Sequence, residues 1–333
     1  MTEKNMRPTQ KVESQSVLEV QNLKKYFEIK RGPFSKKQVV KAVDGVSLSI
    51  AQRETHGLVG ESGCGKSTLG RAIVRLYKPT EGKIFYRGDD ITELADKKLL
   101  PYRKHMQMIF QDPYASLDPR MTVGEIIKEP MVIHNLYDFR EREERVAQLL
   151  EIVGLKPDHI RRFPHEFSGG QRQRIGIART LALDPEFIVC DEAVSALDVS
   201  IQAQIINLLE QLQEERGISY IFIAHDISMV KHISTKISVM YLGNIVESGD
   251  HSVIYKDPIH PYTRALISAI PIPDPDIAKT KERIILQGEL PSPINPPKGC
   301  PFNTRCAYAK TECSQVKPQL KNVQGRMVAC HLY

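Results

Sequence analysis

The stretch THGLVGESGCGKST, residues 55–68, decides the fold. Its first part, THGLVG, is a strand-length apolar run. The rest fits G-x-x-x-x-G-K-[ST], with Gly60, Gly65, Lys66 and Ser67 at the fixed positions, and residues 66–76 read as the helix that should follow. Strand, glycine loop and helix in that order are the context this motif requires. Glycines let successive backbone N–H groups curl around phosphate oxygens, and the start of the helix adds a favourable partial charge. Lys66 sets a cation on the β- and γ-phosphates, and the Ser67 hydroxyl can ligate Mg²⁺. Glu61, Ser62, Gly63, Cys64 and Thr68 complete the cradle, with Cys64 a small spacer rather than a reactive thiol.

Working outward, four more apolar runs have strand length: MQMIFQD, EFIVCD, SYIFIAHD and KISVMYLG. Most do not alternate with polar residues, as expected of strands buried on both faces. Helical patterns lie between several of them. EREERVAQLLEIVGL spaces its apolar residues helically, and SIQAQIINLLEQLQEERG is an amphipathic helix closed by Gly217. This alternation predicts an α/β fold around a mostly parallel sheet, a P-loop core. VLEVQNLKKYFEIK and KAVDGVSLSI alternate like antiparallel strands and predict an antiparallel β subdomain ahead of it. Residues from about 99 to 182 hold several helices and are expected to form an inserted helical subdomain. After about Pro261 proline becomes dense, as in PIPDPD and LPSPINPPKGCP, which reads as a linker and a loop-rich extension.

Four predicted strands end in polar groups: the glycine loop, Gln111, the pair Asp191–Glu192, and His225. Ligands of open α/β sheets bind beyond the carboxyl ends of strands, so the four are expected at one site. Beside a phosphate loop, Asp191 would hold Mg²⁺ through water and Glu192 could polarise an attacking water. His225 would contact the γ-phosphate.

The chain has 333 residues, 41% hydrophobic and 26% charged, ordinary for a globular protein of one large and one smaller domain. Its net charge of +6 fits a handler of polyphosphates or a protein beside an anionic membrane without demanding either, and is weak for a dedicated nucleic-acid binder. The densest basic run, Lys24 to Lys41, reads as a solvated loop. The opening MTEKNMRPTQKVESQ has no apolar h-region, so no secretory signal is expected, and no apolar run reaches membrane-spanning length. Four of the six cysteines, Cys300, Cys306, Cys313 and Cys330, crowd the last tenth of the chain, which suggests a metal more than disulfides. Their spacings of five, six and sixteen intervening residues are not the C-x₂-C pairing of common zinc modules.

A second glycine stretch, FSGGQRQR at 167–174, raises a separate question. Ser168 and Gln171 have capping-box spacing before the helix GGQRQRIGIARTLAL, but a cap does not need two adjacent glycines, which weaken a helix. Together, SGGQ, the phosphate loop, Gln111, Asp191–Glu192, SALD at 195–198 and His225 resemble an ABC-type ATPase domain over roughly residues 17–260. The resemblance implies ATP and Mg²⁺, held in part by Ser67, Gln111 and Asp191. It makes Glu192 the base and His225 the γ-phosphate clamp, and sets Tyr26 against adenine, with Phe27 its rival. In such proteins two ATPase domains pair head to tail. Ser168, Gly169, Gly170 and Gln171 would then close on the partner's ATP, with Asp198 at the seam. Phe167, Ala193, Arg53 and His56 depart from the usual pattern without removing a chemical group from the site.

More narrowly, MIFQDPYASLDPRMTVGEII, ALDVSIQAQIINLL and HPYTRALISAIP resemble the ATPase subunits of bacterial oligopeptide and dipeptide importers, specifically the F-type subunit. Asp118 stands where asparagine is common. The tail CPFNTRCAYAKTEC with the later ACH is similar to the C-terminal extension of that group, here residues 261–333. The implied partners are a D-type ATPase, two integral membrane permease subunits and, indirectly, an extracytoplasmic solute-binding protein, with no nucleic acid. The implied location is the cytoplasmic face of the membrane. The tail cysteines could hold a [4Fe–4S] cluster or zinc, or stay unliganded. Nickel or another small solute is an alternative cargo. A soluble ABC ATPase acting on DNA or ribosomes, and a regulatory module that holds ATP without hydrolysis, are alternatives of other classes. The first lacks its expected coiled-coil insertion, and Glu192 and His225 argue against the second.

Overall fold

The computed structural model describes residues 16–29, 37–271 and 283–333. The expectations placed on the first fifteen residues and on most of PIPDPD lie outside these. In chain order the elements begin β1 Ser16–Ile29, β2 Gln38–Ala51, β3 Thr55–Val59, α1 Lys66–Ile73, β4 Glu81–Tyr86, β5 Asp89–Asp90, α2 Asp96–His105 and β6 Met106–Ile109. The helices α3 Pro113–Ser116, α4 Val123–Ile133, α5 Phe139–Ile152 and α6 Gly169–Leu181 follow. Then come β7 Phe187–Asp191, α7 Val199–Arg216, β8 Ser219–Ala224, α8 Ile227–Ile233, β9 Lys236–Tyr241, β10 Asn244–Asp250, α9 His251–Lys256 and α10 Pro261–Ser268. A short hairpin, β11 Lys321–Val323 and β12 Arg326–Val328, ends the order.

The larger sheet runs β11-β12-β10-β9-β3-β8-β7-β6, parallel from β9 to β6 and antiparallel beyond. Its central strands are apolar at successive positions because each face packs on a different layer. Tyr220 and Phe222 of β8, with Ile188 and Cys190 of β7, face a core shared with α6 and α7 through Ile175, Ala178 and Ile205. Ile221, Ile223 and Val189 face the other way, onto Leu69 and Ile73 of α1 and onto Leu18, Val20 and Val46 of β1 and β2. Truncating one such buried isoleucine to alanine costs about 2–5 kcal/mol.

The smaller sheet, β2-β1-β4-β5, is antiparallel as expected. It corrects one reading. Much of the basic run Lys24–Lys41 is strand, β1 through Ile29 and β2 from Gln38, and only residues 30–36 lie outside the described part. Lys24 is held there by Glu81 at 2.6 Å. Within 99–182, β6 belongs to the large sheet, while α4, α5 and α6 pack on one another through Ile126, Ile127, Val146, Leu149 and Ile175.

The C-terminal residues are more than loops. β12 pairs with β10, Glu247 opposite Val328, and so extends the main sheet. Tyr262 and Phe302 pack their rings on Tyr241 at centroid distances of 4.7 and 5.2 Å. The extension therefore shares the core of the domain before it.

Candidate functional site

The glycine loop leaves β3 and enters α1. Gly65 has φ +106°, and a Cβ there would lie 2.0 Å from the Ala42 carbonyl oxygen. Only glycine fits so close to β2 in that conformation. The buried Lys66 folds back, donating to the carbonyl oxygens of Gly60 at 2.8 Å and Glu61 at 3.0 Å. Burial raises the Cys64 thiol above its usual pKa, which suits a spacer rather than a nucleophile.

At the ends of the neighbouring strands the expected polar groups meet. The Ser67 hydroxyl donates to Asp191 Oδ1 at 2.6 Å, and Arg71 Nη2 lies 3.5 Å from the other carboxylate oxygen. Asp191 is fully buried. Burial pushes its pKa up, against the opposing pull of Ser67 and Arg71. A buried carboxylate so weakly neutralised, beside a hydroxyl oxygen, is a donor set suited to a hard divalent cation. Gln111 Nε2, just beyond β6, donates to Glu192 Oε2 at 2.7 Å. Glu192 has φ +46°, so the chain turns sharply as it leaves β7. The half-exposed His225 sets Nδ1 3.7 Å from Glu192 Oε2.

Ser67, Gln111 and Glu192 border a cleft of about 370 Å³ lined by residues 62–68 of the loop; Asp191 lies behind Ser67 and His225 beside Glu192, outside the lining. Phe27 and Lys41 form its wall on the antiparallel side, and Pro293 of the extension closes another edge. The aromatic residue among the lining is Phe27. Tyr26 stands next to it, and its hydroxyl donates to Asp44 at 2.5 Å.

The second glycine stretch stands apart. Ser168 caps α6 as its spacing predicts: Gln171 N–H donates to Ser168 Oγ at 3.3 Å, and Ser168 N–H donates to Gln171 Oε1 at 3.0 Å. A Cβ on Gly170 would meet Ile201 Cγ2 of α7 at 2.6 Å, so that glycine has a packing reason. One on Gly169 would come no nearer than 3.6 Å to Leu197, so packing does not explain it. Asp198 caps α7, accepting from Ile201 N–H at 3.0 Å. None of Ser168, Gly169, Gly170, Gln171 and Asp198 lines the cleft.

Of the four tail cysteines, Cys300 and Cys313 are joined through the backbone, the Cys300 N–H donating to the Cys313 carbonyl oxygen at 2.7 Å. Burial pushes Cys300 up to about 11, and the nearby Cys313, Cys330 and Cys306 add to the rise. Cys313 Sγ accepts from Lys310 N–H at 3.4 Å. Among the described residues, however, no group of three or more His, Cys, Asp or Glu is arranged to hold a metal ion. The expectation of a tail metal thus gains no geometric support, and none of the described helices is long and apolar enough to cross a membrane.

Sequence reasoning passed over Tyr262, Arg305 and Lys317, and marked Arg53 only as a departure from the usual pattern. Arg53 adopts φ +60°, which explains why a glycine would suit that turn. Lys317 reaches Asp44 at 2.8 Å, and Tyr262 and Arg305 reach the glycine loop from the extension. No local motif marks contacts over such sequence separations.

The ABC transporter family matches residues 43–195, and the oligopeptide/dipeptide transporter C-terminal region matches residues 246–313. The oligopeptide transport ATP-binding protein AppF of Bacillus subtilis (strain 168) is 56% identical, over 96% of this chain and 98% of its own length. OppF of Salmonella typhimurium, of the same description, is 54% identical over 94% and 95%. The dipeptide transport ATP-binding protein DppF of Escherichia coli (strain K12) is 49% identical over 95% and 94%. Among solved structures, the dimeric post-hydrolysis state of the ATP-binding cassette MJ0796 bound to ADP and Pi superposes with a TM-score of 0.63 at 28% identity, covering 70% of this chain and 98% of that one.

Proposed function

This chain belongs to the ABC transporter family, in its oligopeptide/dipeptide branch, and from that premise we propose that it is the ATP-hydrolysing motor subunit of a peptide importer. What supports this reading best is a division of labour within one chain. Lys66, Ser67, Gln111, Asp191 and Glu192 meet around one cleft, while the capped glycine helix at Ser168 presents itself elsewhere. A second ATPase chain would supply the missing face to this cleft and receive Ser168, Gly169, Gly170 and Gln171 on its own nucleotide. Asp198 would lie at the seam.

Within the cleft the loop amides and Lys66 bind the phosphates of ATP. Ser67 and Asp191, with Gln111, would hold Mg²⁺, which neutralises charge developing on the phosphates. Glu192 takes the proton of the attacking water, and Gln111 fixes the carboxylate that does so. His225, half-exposed beside Glu192, would reach the γ-phosphate. Phe27 or Tyr26 stacks on adenine.

The permease contact falls on the helical subdomain. Tyr114 in α3, Val132 and Ile133 at the end of α4 and Phe139 at the start of α5 are all exposed. Exposed apolar side chains of this kind suit contact with a membrane subunit. The chain would then sit at the cytoplasmic face of the membrane beside a D-type ATPase and two permease subunits, with a solute-binding protein outside. An iron–sulfur centre on Cys300, Cys306, Cys313 and Cys330 stays within the proposal. Four thiols in one short tail are the ligand set such a centre needs, and the Cys300 N–H bonded to the Cys313 carbonyl oxygen at 2.7 Å brings two of them to one place. Iron and acid-labile sulfide should be found in anaerobically purified protein; colourless protein with stoichiometric zinc would reject the cluster.

The test of cargo is uptake. A strain lacking this chain should lose peptide import and keep nickel import; the opposite pattern overturns the peptide assignment. Co-purification should bring down two integral membrane proteins and a second ATPase.

A further inference from the structure

Glu61, the residue after Gly60, is gripped from the C-terminal extension at two points. Its backbone N–H donates to the Tyr262 hydroxyl at 2.9 Å. Its carboxylate receives a two-pronged contact from Arg305, Nη1 to Oε2 at 2.7 Å and Nη2 to Oε1 at 3.1 Å. The Arg305 side chain is only 8% exposed, and its guanidinium lies 5.9 Å from the centre of the Tyr241 ring. The pair joins residues 244 apart in sequence. It is therefore a fork with a buried guanidinium and a part-buried carboxylate rather than a loose surface pair, and a forked contact fixes orientation as well as charge.

The carboxylate has an electrostatic cost where it stands. A loop that receives polyphosphate gains from every positive potential and loses from an unneutralised negative one. Lys66 donates to the carbonyl oxygen of this same Glu61, so movement of residue 61 would displace the phosphate-binding lysine too. We propose that Arg305 is a positioning residue for the nucleotide. By cancelling and orienting the Glu61 carboxylate, it makes ATP affinity depend on the docked C-terminal extension. The inference rests on the reading that this loop holds the phosphates of ATP.

The experiment measures equilibrium binding of a fluorescent ATP analogue to the full-length chain. Arg305→Gln should weaken it about tenfold, as expected for losing one charge-assisted contact, while competition by adenosine, which has no phosphates, is unchanged. Adding Glu61→Gln to that variant should restore most of the affinity, because the repelling charge is gone. Wild-type affinity in Arg305→Gln overturns the proposal, and so does a loss that Glu61→Gln fails to repair, which would assign Arg305 a packing role. Should Arg305→Gln not fold, Arg305→Lys keeps the charge without the fork. It should bind more weakly than wild type and be rescued by Glu61→Gln; wild-type affinity overturns the proposal there as well. Lys66→Ala serves as the separate check. If it binds ATP normally, the loop assignment fails; if it loses binding while Arg305→Gln does not, only the role of Arg305 fails.

Discussion

The amide of Gln111 donates to the carboxylate of Glu192 at 2.7 Å, joining the ends of β6 and β7 across the mouth of the cleft. A carboxylate held in this way has one oxygen engaged and the other free to accept a proton. Glu192→Gln preserves the shape and can still pair with Gln111, but it cannot act as a base. Turnover at this site should fall by about 10²–10⁴-fold, the usual worth of a positioned general base, with nucleotide affinity kept. Single-turnover hydrolysis and equilibrium binding, measured together, check this. Unchanged hydrolysis would remove Glu192 from the role.

Ser168 serves its own helix through the cap and, in the proposed pairing, the partner's phosphates. The two roles separate by substitution. Ser168→Ala should lose about 1 kcal/mol of stability with the cap. Ser168→Asp caps a helix as well as serine does but sets a negative charge against polyphosphate. It should therefore keep the melting temperature and abolish ATP-dependent association with the second ATPase. Analytical ultracentrifugation with and without ATP reads the difference, and normal association of the aspartate variant would refute the trans contact.

Much of this was legible in the residues. The five parallel strands, the glycine loop, the Ser168 cap and the Gly217 stop are local patterns, and each lies where it was expected. β10 escaped notice because NIVESGD is short and half polar, and β11 and β12 because three residues carry no periodicity. Their pairing is a tertiary fact: β12 is a strand because β10 offers it an edge. The same holds for Arg305 on Glu61 and Lys317 on Asp44, where the partners lie hundreds of residues apart. Gly170 shows a subtler limit. Its reading as part of a phosphate-approaching stretch left out the close contact with Ile201.

Phe27 lines the cleft, while the Tyr26 hydroxyl is engaged by Asp44. Burial and this carboxylate both push the Tyr26 phenol well above its usual pKa, so it stays a neutral donor. If adenine stacks on the aromatic wall, Phe27→Ala should weaken ATP binding by about 1–3 kcal/mol, the worth of one base on one ring, and by more than Tyr26→Ala does. Isothermal titration of both variants decides it. The reverse order would return the platform to Tyr26.

His260 gives the acid response of the junction between domain and extension. Its ring is 1% exposed; it caps α10, accepting from Tyr262 N–H at 3.1 Å, and lies 5.7 Å from the Phe302 ring. The buried Glu247 carboxylate accepts the backbone N–H groups of Ile259 and His260, both at 3.0 Å. Burial depresses the imidazole pKa from 6.5 to about 3. The depressed group is neutral in both folded and unfolded chains above pH 6.5, and its contribution is fully present there. Between 6.5 and about 3 the unfolded chain takes up a proton that the folded chain refuses, so stability is lost as pH falls. That loss has a limiting slope of about 1.4 kcal/mol per pH unit. His260→Asn can keep a capping acceptor and does not titrate. Denaturant unfolding from pH 7.5 to 5 should show the wild type losing stability more steeply than the variant by that one-proton slope, with all other titrating groups cancelling in the difference. Parallel curves would mean that His260 accepts its proton in the folded state.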